Sequence, residues 1–274
     1  MAVFGEKDVE FTLHICYTTI EKEKEAAAVS YADIRFMENC RDILENGVWD
    51  TDQQVRPHWE DGTPAHTVKK FGIVNRYDLQ KEFPILTLRR TYWKTAVNEL
   101  LWIWQKKSNN IHDLDAKIWD QWADETGSIG KAYGYQLGVK HHYPEGDMDQ
   151  VDRVLYDLKH NPASRRILTN IYNFADLSEM HLYPCAYSMT FNVSGNVLNA
   201  ILNQRSQDML AANNWNVVQY AVLVHMMARS AVWSPANWST SSPTPISTTA
   251  MCPSWRRCCS RPPERPQNSQ WTPP

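Results

Sequence analysis

The side chains with the greatest chemical reach in this chain lie between Ser164 and Ala228. At their centre is Leu182-Tyr183-Pro184-Cys185-Ala186-Tyr187, preceded by Arg165-Arg166 and followed by Gln204-Arg205-Ser206-Gln207-Asp208 and Asn216. An isolated cysteine is ordinarily a small core hydrophobe. Three arginines in the same short region change that reading, because guanidinium groups depress a thiol pKa and grip an anion bidentately. The combination suits a thiolate nucleophile, Cys185, acting on a phosphorylated substrate. A second candidate is Glu99, set among Val97, Leu100, Leu101 and Trp102 in a segment that is apolar nearly all round. A carboxylate there must be paired, protonated or functional. On the residues alone it is either a structural ion-pair partner or a catalytic acid/base.

These groups need elements to hold them. Val9, Phe11, Leu13, Ile15 and Tyr17 alternate as in a half-buried strand. Ile34, Met37, Ile43 and Leu44 suit a helix that begins near Asp33 and ends at Gly47. Residues 96–105 read as a buried helix carrying Glu99. An amphipathic helix begins at Asp147, with Val151, Val154, Leu155 and Leu158 on one face and Asn161-Pro162 after it. Strands follow at 167–172, 186–193 and 197–204, the last two joined as a hairpin through Ser194-Gly195-Asn196. That hairpin puts Arg205 at a strand end close to Cys185, so nucleophile and cation meet across the ladder. Asn213 caps a last helix over 215–228. Strands and helices are segregated rather than alternating, which predicts an α+β fold.

Composition bounds the reading further. A chain of 274 residues that is 43% hydrophobic can bury a core as one large domain or two small ones. With 28 basic and 31 acidic residues the net charge is −3, which argues against nucleic acid and anionic membrane as partners. Lys69-Lys70 and Lys106-Lys107 read as solvated surface pairs rather than as an RNA-binding patch. The first residues lack a basic stretch before an apolar run, and no apolar run reaches membrane-spanning length. Cys16, Cys40 and Cys185 are widely spaced, and the other three crowd at 252, 258 and 259. Neither a metal-ligand spacing nor a disulfide framework is visible, so a reducing cytoplasm is expected.

Over residues 33–229 the pattern resembles the folate-dependent, cysteine-using thymidylate synthase family. The resemblance rests on collinear segments: Asp61-Gly62-Thr63-Pro64-Ala65-His66-Thr67, Phe83-Pro84-Ile85-Leu86-Thr87, Asn98-Glu99-Leu100-Leu101-Trp102, Ile118-Trp119-Asp120-Gln121-Trp122, Ala132-Tyr133-Gly134, the cysteine block, and the stretch from Asn213 to Ala228. It implies a mixed sheet layered with helices and a reductive methylation of dUMP to dTMP. Methylenetetrahydrofolate would be the co-substrate and dihydrofolate a product, with no metal. By resemblance Cys185 adds to C6 of the pyrimidine, Glu99 moves protons on and off its carbonyl through ordered water, and Tyr133 assists removal of the C5 proton. Arg205 and Ser206 would bind the phosphate, together with Arg56 from a mobile loop and with Arg165 and Arg166 reaching across from the partner of a homodimer. Asn216 would read the uracil edge, Asp208 would orient the pterin, and Trp119 and Trp122 would line the folate pocket. Taken alone, the two tryptophans read as aromatic core and Arg56 as a solvated surface residue. Ala186 replaces a frequent histidine, Ala212-Asn213-Asn214 replaces a Gly-containing loop, and Tyr172 stands where tryptophan is frequent. The rival readings are a catalytically inactive or truncated relative that only binds nucleotide, and a deoxynucleotide hydroxymethylase in which water captures the methylene adduct. Asn216 disfavours a cytosine substrate, and Trp119 favours hydride transfer.

The sequence divides into an N-terminal extension (1–32), a catalytic domain that is incomplete at its C-terminal end (33–229) and an atypical tail (230–274). The tail holds nine of the fifteen prolines, nine serines, three cysteines and one acidic residue, which by composition reads as a disordered extension. The family would instead continue into a core strand, a final helix and an Asp-x-His-x-Tyr motif that holds the sugar. A free choice of codons for Trp233 through Pro253, read from the third base of each, yields EPGELVHVIADAHIYDRHVP, which contains that motif. One nucleotide lost near codons 229 to 232 accounts for this; a genuine Pro/Ser-rich tail is the alternative.

Overall fold

The first described element is a helix where alternation predicts a strand. The structure, a computed structural model, describes residues 6–25, 29–55, 58–231, 234–242 and 245–248. Helix α1 spans Glu6–Glu25. Thr12, Cys16 and Ile20 are buried, and Val9, Leu13 and Tyr17 pack half-buried beside them. These six positions recur at helical spacing and form one stripe, whereas Phe11 and Ile15 stay exposed at 48% and 43%. Of the period-two positions, only Val9, Leu13 and Tyr17 belong to the 3.6-residue stripe.

Helix α2 (Tyr31–Asn46) starts with a capping box between Ser30 and Asp33. It ends at Gly47, which is extended at φ −82 rather than left-handed. Glycine is needed there because a Cβ would sit 2.2 Å from the carbonyl of Ile43. Strands β1 (Val48–Trp49), β2 (Thr67–Lys69) and β3 (Ile73–Asp78) lead to helix α3 (Trp93–Trp104). Next come the short helix α4 (Gly134–Gly138), the ribbon of β4 (His141–Tyr143) and β5 (Gly146–Met148), and helix α5 (Gln150–His160). Helix α5 begins later than the sequence suggests: Asp147 lies in β5, and Asp149 caps the helix by accepting from the N–H groups of Val151 and Asp152. Strand β6 keeps only Leu168–Asn170 of the expected span.

Strands β7 (Ala186–Ser194) and β8 (Val197–Gln204) form the expected hairpin, turning at Gly195 with φ +64. The chain then runs through β9 (Gln207–Asp208), helix α6 (Asn213–Ala231), β10 (Ser234–Ser242) and β11 (Pro245–Thr248). The main sheet has the order β3-β10-β8-β7-β6, and a second has the order β1-β2-β11-β9. Helix α6 is the centre of the core, with Val218, Ala221, Val222, Leu223 and Val224 fully buried. It packs on α1, α3 and β8. The architecture is α+β, as the segregated pattern predicts.

The tail is where backbone and composition part. Ser234–Ser242 pairs parallel with β8 and antiparallel with β3, so it is an interior strand rather than a disordered extension. Residues 249–274 lie outside the described residues. No described helix is long and apolar enough to cross a membrane.

Candidate active site

The β7–β8 ladder places Cys185. Ala186 pairs with Gln204, and one step further the N–H of Arg205 donates to the carbonyl of Cys185 at 3.0 Å. The Arg205 guanidinium folds back over the loop that carries the cysteine: Nε donates to the Pro184 carbonyl at 2.9 Å and a terminal nitrogen to the Tyr183 carbonyl at 2.8 Å. Ladder and side chain together lock cation and thiol side by side, as the sequence predicts. The net effect on the thiol differs from expectation. Burial pushes the Cys185 pKa up, and Arg205 opposes that rise without cancelling it. Arg165 and Arg166 give the thiol no help. They lie exposed on the loop between α5 and β6, with no side-chain hydrogen bond or ion pair among the described residues.

Tyr133 comes from a strained turn. Its backbone sits at φ +47, ψ −106, immediately before α4. A non-glycine residue in that region costs about 1–3 kcal/mol and persists only where its surroundings impose it. Here they do, because a Cβ at the next residue, Gly134, would meet the Ser108 carbonyl oxygen at 2.2 Å. The turn delivers the Tyr133 hydroxyl to the backbone of Cys185, whose N–H donates to it at 3.4 Å. Burial holds the phenol protonated, well above its usual range.

Glu99 is no ion-pair partner; among the described residues it faces N–H donors instead. Trp119 Nε1 donates to Oε1, and Trp215 Nε1 and Gln219 Nε2 both donate to Oε2, each at 2.5 Å. Burial raises the Glu99 pKa, and the three donors pull it back in part. Oε2 is clamped from two sides while Oε1 keeps more open acceptor capacity. Sequence reasoning missed Trp215 and Gln219. The signal was present, since an amide inside the apolar helix α6 needs explaining for the same reason as Glu99 does in α3.

The remaining predicted residues fall around this centre. Asn216 lies on the first turns of α6, its Oδ1 accepting from Gln204 Nε2 at 3.1 Å and Gln207 Nε2 at 3.3 Å, and its Nδ2 donating to Gln219 Oε1 at 3.0 Å. Ser206 is half-buried beside Arg205. Asp208 Oδ1 accepts from the N–H groups of Leu210 and Ala211, both at 2.8 Å, and so shapes the turn into α6. Trp119 is buried, with edge-on contact to Tyr133 at 5.0 Å between ring centroids; Trp122 is half-buried. Arg56 lies outside the described residues. The paired lysines are engaged: Lys69 with Gln53, Lys70 with Asp42, Lys106 with the Asp113 carbonyl and Lys107 with Asp149. Among the described residues no group of His, Cys, Asp and Glu could hold a metal ion.

Comparison with known proteins agrees with this arrangement. The thymidylate synthase family model matches residues 34–241. A thymidylate synthase from Bacillus licheniformis is 46% identical over 206 residues, covering 73% of this chain and 74% of the relative. Thymidylate synthase 1 of Bacillus subtilis strain 168 is 45% identical over 202 residues, covering 72% of each. Among solved structures, the thermostable thymidylate synthase A from Bacillus subtilis superposes with a TM-score of 0.81 at 39% identity, covering 84% of both chains. With Cys185, Arg205, Tyr133 and the buried Glu99 gathered at one end of the β7–β8 ladder, this chain belongs to the thymidylate synthase family, whose reaction is the methylation of dUMP to dTMP.

Proposed function

We propose that this chain carries out that reaction itself, with Cys185 as nucleophile. The observation that supports it best is the convergence of Cys185, Arg205 and Tyr133 through backbone and side-chain hydrogen bonds. The Cys185 sulfur adds to C6 of dUMP, which makes C5 nucleophilic. Burial disfavours the resting thiolate, and Arg205 is the cation that favours the anion as the sulfur adds. Arg205 and Ser206 bind the phosphate, with Arg56 of the same chain and the exposed Arg165 and Arg166 of a partner subunit completing the grip in a homodimer. Glu99, through water, protonates and deprotonates the pyrimidine carbonyl. Asn216 reads the uracil edge, and Tyr133 assists loss of the C5 proton.

A pterin needs an aromatic face and an acceptor for its ring N–H donors. The half-buried indole of Trp122 and the carboxylate of Asp208 are of those types, and Trp119 forms the wall between Glu99 and Tyr133. Bound methylenetetrahydrofolate supplies the one-carbon unit and the hydride, and leaves as dihydrofolate. The compartment that fits this chemistry and the thiol is the reducing cytoplasm. Dihydrofolate formation that requires both dUMP and methylenetetrahydrofolate, and that is lost in Cys185→Ser, tests the reading. No dihydrofolate from a folded wild-type chain would contradict it.

The tail has its own reading. A strand paired on both sides ordinarily carries β-branched and aromatic residues, and proline is confined to edges and bulges. Ser234–Ser242 reads Ser-Pro-Ala-Asn-Trp-Ser-Thr-Ser-Ser, and its ladder with β8 shifts register between Pro235 and Trp238. Backbone path and letters conflict there. A single lost nucleotide near codons 229 to 232 resolves the conflict, because the shifted reading supplies the apolar, β-branched-rich run Leu-Val-His-Val-Ile.

A further inference from the structure

Gln219 lies one helical turn after Asn216 on α6 and is 3% exposed. Its nitrogen Nε2 donates to the Ala96 backbone carbonyl at 2.9 Å as well as to Glu99 Oε2 at 2.5 Å. A backbone carbonyl only accepts, so the orientation of this carboxamide is forced. Its oxygen therefore faces Asn216, which must present Nδ2 to it, at 3.0 Å. Asn216 Oδ1 is thereby turned to the opposite side, where the amide nitrogens of Gln204 and Gln207 donate to it. Gln204 cannot set this polarity: it is wholly buried, and its Oε1 has no hydrogen-bond partner among the described residues.

We propose that Gln219 is the positioning residue that fixes the polarity of Asn216, and so the preference for uracil over cytosine, while tying the same amide to Glu99. The inference rests on the reading of Asn216 as the base-reading residue. Uracil offers a donor at N3 and an acceptor at O4, which match Oδ1 and the second hydrogen of Nδ2; cytosine offers the reverse pair. Binding uracil trades the two long glutamine contacts at Oδ1 for the N3–H. The Gln219 contact is not traded, so it alone still dictates which end of Asn216 faces the base.

The test compares dUMP and dCMP binding to the full chain by calorimetry. Gln219→Met has nearly the same length and no polarity. It is expected to lower the dUMP-to-dCMP affinity ratio about tenfold, the weight of one oriented hydrogen bond. Gln219→Glu, kept protonated because a second carboxylate cannot ionise beside Glu99 Oε2, donates its proton there, still accepts from Asn216 Nδ2 and is expected to keep the ratio to within about twofold on the same basis. General loosening of the site would weaken both nucleotides together and leave the ratio unmoved. If Gln219→Met does not fold, Gln219→Ala is read instead, because water filling the gap donates and accepts without preference. An unchanged ratio in the apolar variants, or an equal loss in Gln219→Glu, overturns the inference and leaves the nucleotide reading standing. A wild-type chain that binds neither nucleotide overturns both.

Discussion

At the scale of single residues, the site works by opposing burial with directed donors. The Cys185 thiol is pushed up by burial and, among the described arginines, pulled down by Arg205 alone. Alkylation of the free protein by iodoacetamide, followed by mass mapping of the Cys185 peptide, should therefore titrate above the ordinary thiol value of 9.0. Arg205→Gln should move the midpoint higher; superimposable profiles would show that Arg205 does not act on the sulfur. His225 gives a pH effect of known sign. It stacks on Phe83 with ring centroids 6.1 Å apart, and burial pushes its pKa down to about 4 from 6.5. The unfolded chain binds the proton first, so this contribution to stability is present above 6.5 and is lost as pH falls from there to about 4. Melting temperature should fall over that window, and His225→Leu should flatten the slope. Much of this centre is legible in sequence. Cys185 and Arg205 follow from a hairpin pattern, and Glu99 follows from a carboxylate in an apolar run. Trp215 and Gln219 escape because they act on Glu99 from a helix 116 and 120 residues away, a distance no local pattern spans.

Elements position these residues through packing that sequence periodicity shows unevenly. Helix α1 was hidden because Val9, Leu13 and Tyr17 belong to both a period-two and a 3.6-residue pattern, and only tertiary contact decides between them. Cys16 and Ile20 pack into the core, and Tyr17 meets Trp93 edge-on at 4.4 Å between ring centroids. The helix thereby buttresses α6, which carries Asn216 and Gln219. Ile20→Ala should cost about 2–5 kcal/mol and lower the melting temperature by roughly 5–15 °C. Phe11→Ala, which removes an exposed ring under Arg229, should cost under about 1 kcal/mol. Equal losses in the two variants would contradict the helical stripe. Helices α2, α3, α5 and α6 and the β7–β8 hairpin were readable because each has a long periodic run or a tight turn; β6 and the start of α5 shifted by residues that local pattern does not fix.

For the whole molecule, the main sheet closes through a strand whose letters do not suit its place. Apolar burial stabilises by roughly 25 cal/mol per Å², against a net margin of about 5–15 kcal/mol, so the letters Ser-Pro-Ala-Asn-Trp-Ser-Thr-Ser-Ser carry little of the apolar area that an interior strand ordinarily supplies. Composition pointed to disorder here because propensity takes no account of the two open ladders, on β3 and β8, that this segment fills. DNA sequencing across codons 226 to 236 and onward should give the shifted reading with its Asp-x-His-x-Tyr motif. Codons that cannot encode it would make the Pro/Ser-rich tail genuine. The central claim, that Cys185 attacks dUMP within a working thymidylate synthase site, is tested most directly by intact mass of the chain incubated with fluorodeoxyuridylate and methylenetetrahydrofolate. The account predicts a covalent ternary adduct on the wild type and none on Cys185→Ser. A folded wild-type chain that stays at its unmodified mass, or an adduct that survives the serine substitution, would contradict it.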